Sequence, residues 1–291
     1  MTSAAATPSS PRASAGSSGS VTRFLRRFVG RVGHAWVENP STLIRFAARL
    51  AGAWRCFLFD LSPRELGSTL KRFSWQTLRT LFRGVFAVAG LGLAVGIGVG
   101  AVARAVGPGL QADFGRIVLV ALLRDAGPLM LTVLIAGRMG GSIAARLGDS
   151  AGDDRGISDR DLTRLVLPHL VAGTVSAALF YGLGAFLIVK GFVGLGDPAR
   201  MLAADAEWYL RLRTTESALW LGFGKSAAFG GLVAYIASAY GLRARERAGQ
   251  LGAWRRVDVR QDAVWETSVT AILLATAISV LFWLTVEEPL R

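Results

Sequence analysis

The stretch LLRDAGPLMLTVLIAGRMGGSIAARLGD, residues 122–149, decides how this chain is read. Its middle is apolar enough for a bilayer, yet Arg124 and Asp125 stand just before it, followed at once by Gly127 and Pro128. A charged side chain at the centre of a membrane costs about 2.5–3.5 kcal/mol on insertion scales and usually faces a cavity or a partner. Pro128 lacks an amide donor, so it is expected to kink or break a helix here and to free backbone groups that need other partners. Neighbouring residues on a helix point about 100° apart. Arg124 and Asp125 are therefore expected to reach different partners, not each other. The alternative is a span that begins near Leu129 and leaves both charges at its mouth.

The remainder of the chain belongs with a membrane. It has 291 residues, a mean hydropathy of +0.43 and only 18% charged residues. That balance is too apolar for an ordinary soluble domain. Five apolar stretches, 84–106, 117–136, 165–193, 218–240 and 264–286, each come near the length that a bilayer needs, about 20 residues. The predicted fold class is all-α: a polytopic membrane protein with an N-terminal interfacial helix and five transmembrane helices. The first span carries GLGLAVGIGVGA. Small residues let helices approach closely, so this span is expected to pack inside the bundle.

Three segments follow from composition. Residues 1–20 are small and polar with two prolines and read as a disordered tail. They lack the apolar core of a signal peptide, so insertion is expected to rely on the later spans. Residues 21–83 read as interfacial amphipathic helices. Between Val21 and Glu38, apolar residues recur at helical spacing on one face, with Arg23, Arg26, Arg27 and Arg31 on the other. A second stretch, LIRFAARLAGAWRCFLFDL, carries three arginines, and Ser62-Pro63 then marks a helix start. Residues 84–291 form the membrane domain.

Lys and Arg total 33 against 20 acids, a net charge of +13. The basic residues cluster beside the apolar spans, which suits topology signals and anionic lipid better than nucleic acid. Arginines gather before the first span, between the second and third (Arg146, Arg155, Arg160, Arg164) and between the fourth and fifth (Arg243, Arg245, Arg247). Positive loops stay inside, which puts the N-terminus in the cytoplasm and the C-terminus outside. The single cysteine, Cys56, excludes an internal disulfide. His34 and His169 have no ligating cluster around them, so no metal is expected. The segment GFGKSAAFG, 222–230, imitates a phosphate loop, but that motif needs a glycine where Leu219 stands. No nucleophile–base constellation appears, and an enzymatic role has no support.

The order of short motifs resembles the permease of MCE-type lipid ABC transporters, the MlaE/YrbE family. The family signature runs Arg-Glu-x-Gly-Pro, then Ala-Gly-Arg, then Gly-Ser-x-Ile-Ala-Ala-Glu-Leu-Gly, and later Lys-Ser-x-x-Phe-Gly. Here stand Arg124, Asp125, Gly127 and Pro128; Ala136, Gly137 and Arg138; Gly141, Ser142 and Gly148; and Lys225, Ser226, Phe229 and Gly230. The resemblance covers about Arg79 to the C-terminus. The family glutamate is Asp125 here, and Arg146 replaces the acid before Leu-Gly. The loop DSAGDDRGISDRDLTRLVLP is shorter than the family's and lacks its Glu-Gln-Ile-Asp-Ala-Leu segment.

The resemblance implies a homodimer or paralogous heterodimer in the cell inner membrane. It implies a cytoplasmic ABC ATPase that uses the ATP, and an outer MCE-domain lipid-binding protein. It implies lipid, with phospholipid as the family's usual cargo, as what is moved, with no cofactor in this chain. Arg124, Asp125, Gly127 and Pro128 become lipid-cavity candidates, and Asp154, Ser158 and Arg160 fall in the ATPase-coupling loop. The altered loop suggests an alternative role, a non-transporting membrane anchor or assembly subunit.

Overall fold

A helix in hydrocarbon must satisfy its backbone internally, and five stretches of this chain are apolar and long enough to do so. The computed structural model describes residues 41–105, 117–149, 158–193, 213–250 and 256–284, and no strand occurs among them. The readings of residues 1–20 and 21–38 lie outside the described residues.

Helix α1 covers residues 41–55 and runs into a π turn, Cys56–Asp60. Helix α2 is Pro63–Ala105. Helix α3 spans residues 117–149 and contains two π turns, Leu122–Ala126 and Ala136–Gly140. Then come α4 (Asp159–Leu165), α5 (Leu167–Val193), α6 (Arg213–Gln250) and α7 (Arg256–Phe282). Five helical stretches, within α2, α3, α4–α5, α6 and α7, have the length and apolarity to cross a membrane. The all-α polytopic expectation holds.

The 43 residues of α2 rise about 65 Å, twice the hydrocarbon thickness of about 30 Å. It runs unbroken through positions 83 and 84. Its start is fixed by Ser62, whose hydroxyl and amide both bond Glu65 Oε2 at 3.0 and 3.2 Å, with Pro63 in the first turn. The start of α2, α1, α4 and the end of α6 gather at one end of the bundle. Glu65 there takes Arg164 at 2.6 Å and Arg160 at 2.8 Å. Arg49 on α1 pairs with Glu246 on α6 at 3.1 Å, and the buried Thr163 hydroxyl donates to the Ala53 carbonyl at 2.9 Å. Phe46, Leu162, Val166, Ala239 and Leu242 form the apolar core of this end.

The glycine-rich part of α2 packs on one side only. A Cβ on Gly92 would sit 3.0 Å from the Gly184 carbonyl, and one on Gly96 would overlap the Ile188 carbonyl. These glycines let α2 and α5 touch backbone to backbone. Gly90 and Gly98 have nothing within 4 Å, and Phe86 is exposed. The expected burial inside the bundle is thus true of one face. The main core lies between α3, α5 and α6, around Leu123, Leu131, Tyr181, Val233 and Tyr240.

Candidate functional site

The first π turn of α3 explains how the chain accepts Pro128. In this turn the Gly127 amide donates to the Leu122 carbonyl, five residues back. The next bond in that register would run from residue 128 to the Leu123 carbonyl, and proline has no amide hydrogen to give. The Tyr181 hydroxyl of α5 supplies the donor instead, at 2.8 Å. Gly222 of α6 makes room, because a Cβ there would lie 2.5 Å from the Leu123 carbonyl oxygen. The helix does not break at Pro128. Ala126 and Gly127 keep right-handed helical dihedrals, and a π turn plus a tyrosine absorb the missing bond.

The same turn presents Arg124 and Asp125. The Asp125 carboxylate receives Lys225 Nζ at 2.8 Å on one oxygen and Arg124 Nε at 3.0 Å on the other. The expectation that the two neighbours reach apart is corrected. The arginine stem is long enough to swing across the angle between them, and Lys225 holds the carboxylate in place. The Lys225 side chain is only 8% exposed and lies 4.8 Å from the centre of the Phe282 ring. Aromatic and carboxylate together compensate a charge largely removed from water. Two cationic groups thus share one carboxylate. The span does not begin near Leu129, since α3 is already helical from residue 117.

An apolar cleft adjoins this cluster. It lies between α2, α3 and α5, encloses about 40 Å³, and is bordered by Val95, Leu123, Gly127, Met130, Tyr181 and Ile188 among others. Of the four cavity candidates, Gly127 borders this cleft, Pro128 is buried, and Arg124 and Asp125 are half-buried and outside its lining, between Leu123 and Gly127 in sequence.

The other motif residues divide into packing and position. Ala136 is buried and opens the second π turn, with Gly137 and Arg138 following. The side chain of Arg138 lies outside the described residues. A Cβ on Gly141 would lie 2.8 Å from Val264 on α7, so that glycine seats α3 against α7. Ser142 borders a second cleft, with Arg79 and Arg83. Gly148 is in the last turn of α3. Ser226 and Phe229 are buried, and Gly230 meets Gly173 at the crossing of α5 and α6. Asp154 lies outside the described residues. Ser158 caps α4, accepting from the Asp161 amide at 3.2 Å, and Arg160 pairs with Glu65.

Sequence reasoning placed Lys225 in a motif but missed its carboxylate partner. It also missed Tyr181 and Gly222. The unmet acceptor next to Pro128 was the signal that a donor had to come from another helix.

This arrangement is that of a multi-pass helical membrane protein. Permease MlaE is the family that matches, over residues 73–282, and the chain belongs to it. Over 142 residues the chain is 26% identical to a "Probable ABC transporter permease protein" of Synechocystis, which covers 46% of this chain and 53% of that protein. The chain thus spans about half the length of this curated relative.

Proposed function

We propose that this chain is the permease subunit of an ABC-type lipid transporter of the cell inner membrane, with phospholipid as cargo. It works as a homodimer or paralogous heterodimer, with its N-terminus cytoplasmic and its C-terminus periplasmic. A separate cytoplasmic ATPase hydrolyses ATP, and an MCE-domain protein outside exchanges lipid with it. This chain performs no catalysis. It supplies an apolar passage whose shape changes with the state of the ATPase.

The observation that carries this reading is the Arg124–Asp125–Lys225 cluster beside an apolar cleft. A guanidinium binds phosphate with a planar fork of donors, so Arg124 suits a phosphodiester. Asp125 sets the position of both cations. The cleft beside it suits acyl chains. Loop residues Asp154, Ser158 and Arg160 lie on the ATPase side in this reading.

Lipid transfer between vesicles tests it, with the chain co-reconstituted with its ATPase and MCE partners. Arg124→Leu should leave the complex assembled and reduce transfer, while Arg124→Lys should do partial harm. Normal transfer by Arg124→Leu would overturn the role of the cluster.

A second reading is a non-transporting anchor or assembly subunit. It is favoured by the loop's lack of the family segment and by the ties of Arg160 and Arg164 to Glu65 within the chain. Crosslinking from Asp154 and Ser158 separates the two: capture of an ATPase supports transport, and no capture in an intact complex supports the anchor.

A further inference from the structure

We propose that one stripe of α2, from Gln76 to Val95, is a lateral binding groove for a single anionic phospholipid. The phosphate sits at Arg79 and Arg83, and one acyl chain lies along the apolar turns that follow. This inference goes beyond transport: it rests on Arg79 and Arg83 and shares only the apolar cleft with that reading.

The stripe follows helical spacing. Gln76, Arg79, Thr80 and Arg83 border one cleft, and Val88, Leu91, Gly92 and Val95 border the next. The two clefts share Leu134 on α3 and Phe180 on α5, so they adjoin along α2. Helix α2 packs along α5 but scarcely meets α3, which leaves the groove open sideways. Its floor is α5 and its far wall is α3, where Met130 faces Leu91 across the opening with both side chains exposed. Gly84 lets the Phe180 ring press against α2 and close the floor between the polar and apolar parts.

Charge and length select the occupant. Arg79 and Arg83 stand four residues apart on one helix face, where like charges repel. Among the described residues, neither has a hydrogen bond or ion pair. A phosphate between them would relieve the repulsion and use both forks. From Arg83 to Val95 the helix rises about 18 Å. One leaflet of hydrocarbon is about 15 Å deep, so a chain anchored at Arg83 ends near Val95 and Gly127. Each cleft encloses only about 40 Å³, so the lipid lies against the groove and is not swallowed by it. A soluble acidic partner would match the arginines but leave the apolar turns unused.

The test uses the full chain in phosphatidylcholine vesicles containing a phosphatidylglycerol with a photoreactive group midway along one acyl chain. Labelled positions are read by peptide mass spectrometry. Labelling should centre on Leu91 and Met130 and be competed by unlabelled phosphatidylglycerol. In Arg79→Ala/Arg83→Ala it should fall by about tenfold or more, and Arg79→Lys/Arg83→Lys should retain most of it. Met130→Trp, which fills the groove from α3, should abolish it with both arginines in place. Equal labelling by a matching phosphatidylcholine probe, or undiminished labelling in the alanine or tryptophan variant, overturns the proposal. If the alanine variant does not accumulate, Met130→Trp decides alone. Transfer between vesicles reads the transport role separately: loss of labelling with transfer intact sinks the groove alone, and labelling kept with transfer lost sinks the transport reading alone.

Discussion

Lys225 of α6 places its ammonium 2.8 Å from the Asp125 carboxylate of α3, across 100 positions of chain. The pair ties together two helices that carry separate family motifs. Removing one partner leaves the other with one contact fewer in a poorly hydrated place, and removing both does not add that cost twice. Asp125→Asn and Lys225→Met should each lower the unfolding temperature in detergent, and the double variant should lose less than their sum. A coupling energy of about 1–2 kcal/mol is expected from the cycle. Additive losses would mean that the contact contributes nothing.

The bond from Tyr181 to the Leu123 carbonyl replaces one that Pro128 cannot make. Tyr181→Phe should cost about 1 kcal/mol. In a Pro128→Ala background the backbone regains a donor, and the same substitution should cost close to nothing. An undiminished cost in that background would show that the tyrosine acts through packing alone.

The two faces of the α2 glycine stripe should respond in opposite ways. Gly96→Ala presses a methyl onto the Ile188 backbone and should destabilise by about 1–3 kcal/mol as α2 and α5 are forced apart. Gly98→Ala meets open space and should be neutral or stabilising by up to about 1 kcal/mol, through helix propensity. Thermal unfolding of the two single variants compares them directly.

Glu65 joins the start of α2 to α4 through Arg160 and Arg164. Glu65→Gln should quicken amide hydrogen exchange in Asp159–Leu165 while leaving α5 protected. High salt should mimic the substitution in the wild type, since these groups are exposed enough to be screened. Unchanged exchange under both conditions would show that Thr163 and the apolar contacts hold α4 without the ion pairs.

Orientation follows from the arginine-rich loops. A reporter active only outside the cytoplasm, fused after Arg291, should give signal, and the same fusion after Arg247 should not. The reverse pattern would invert the topology.

The sequence by itself determined the all-α polytopic class and the five spans, because hydropathy over about 20 residues is a local property. The order and spacing of its motifs also pointed to the permease family, and both conclusions stand. Tertiary structure decided what local period cannot carry. Nothing near residue 125 in the chain names Lys225 as its partner. Nothing near Pro128 shows that Tyr181 would meet the orphaned carbonyl, or that Gly222 would clear its path. The face of the glycine stripe that packs was likewise settled by where α5 lies. In each case the deciding atom comes from a helix far away in sequence. A missing hydrogen bond, an uncompensated charge or a bare backbone can be read from local sequence, but its complement depends on which helices the packing brings together.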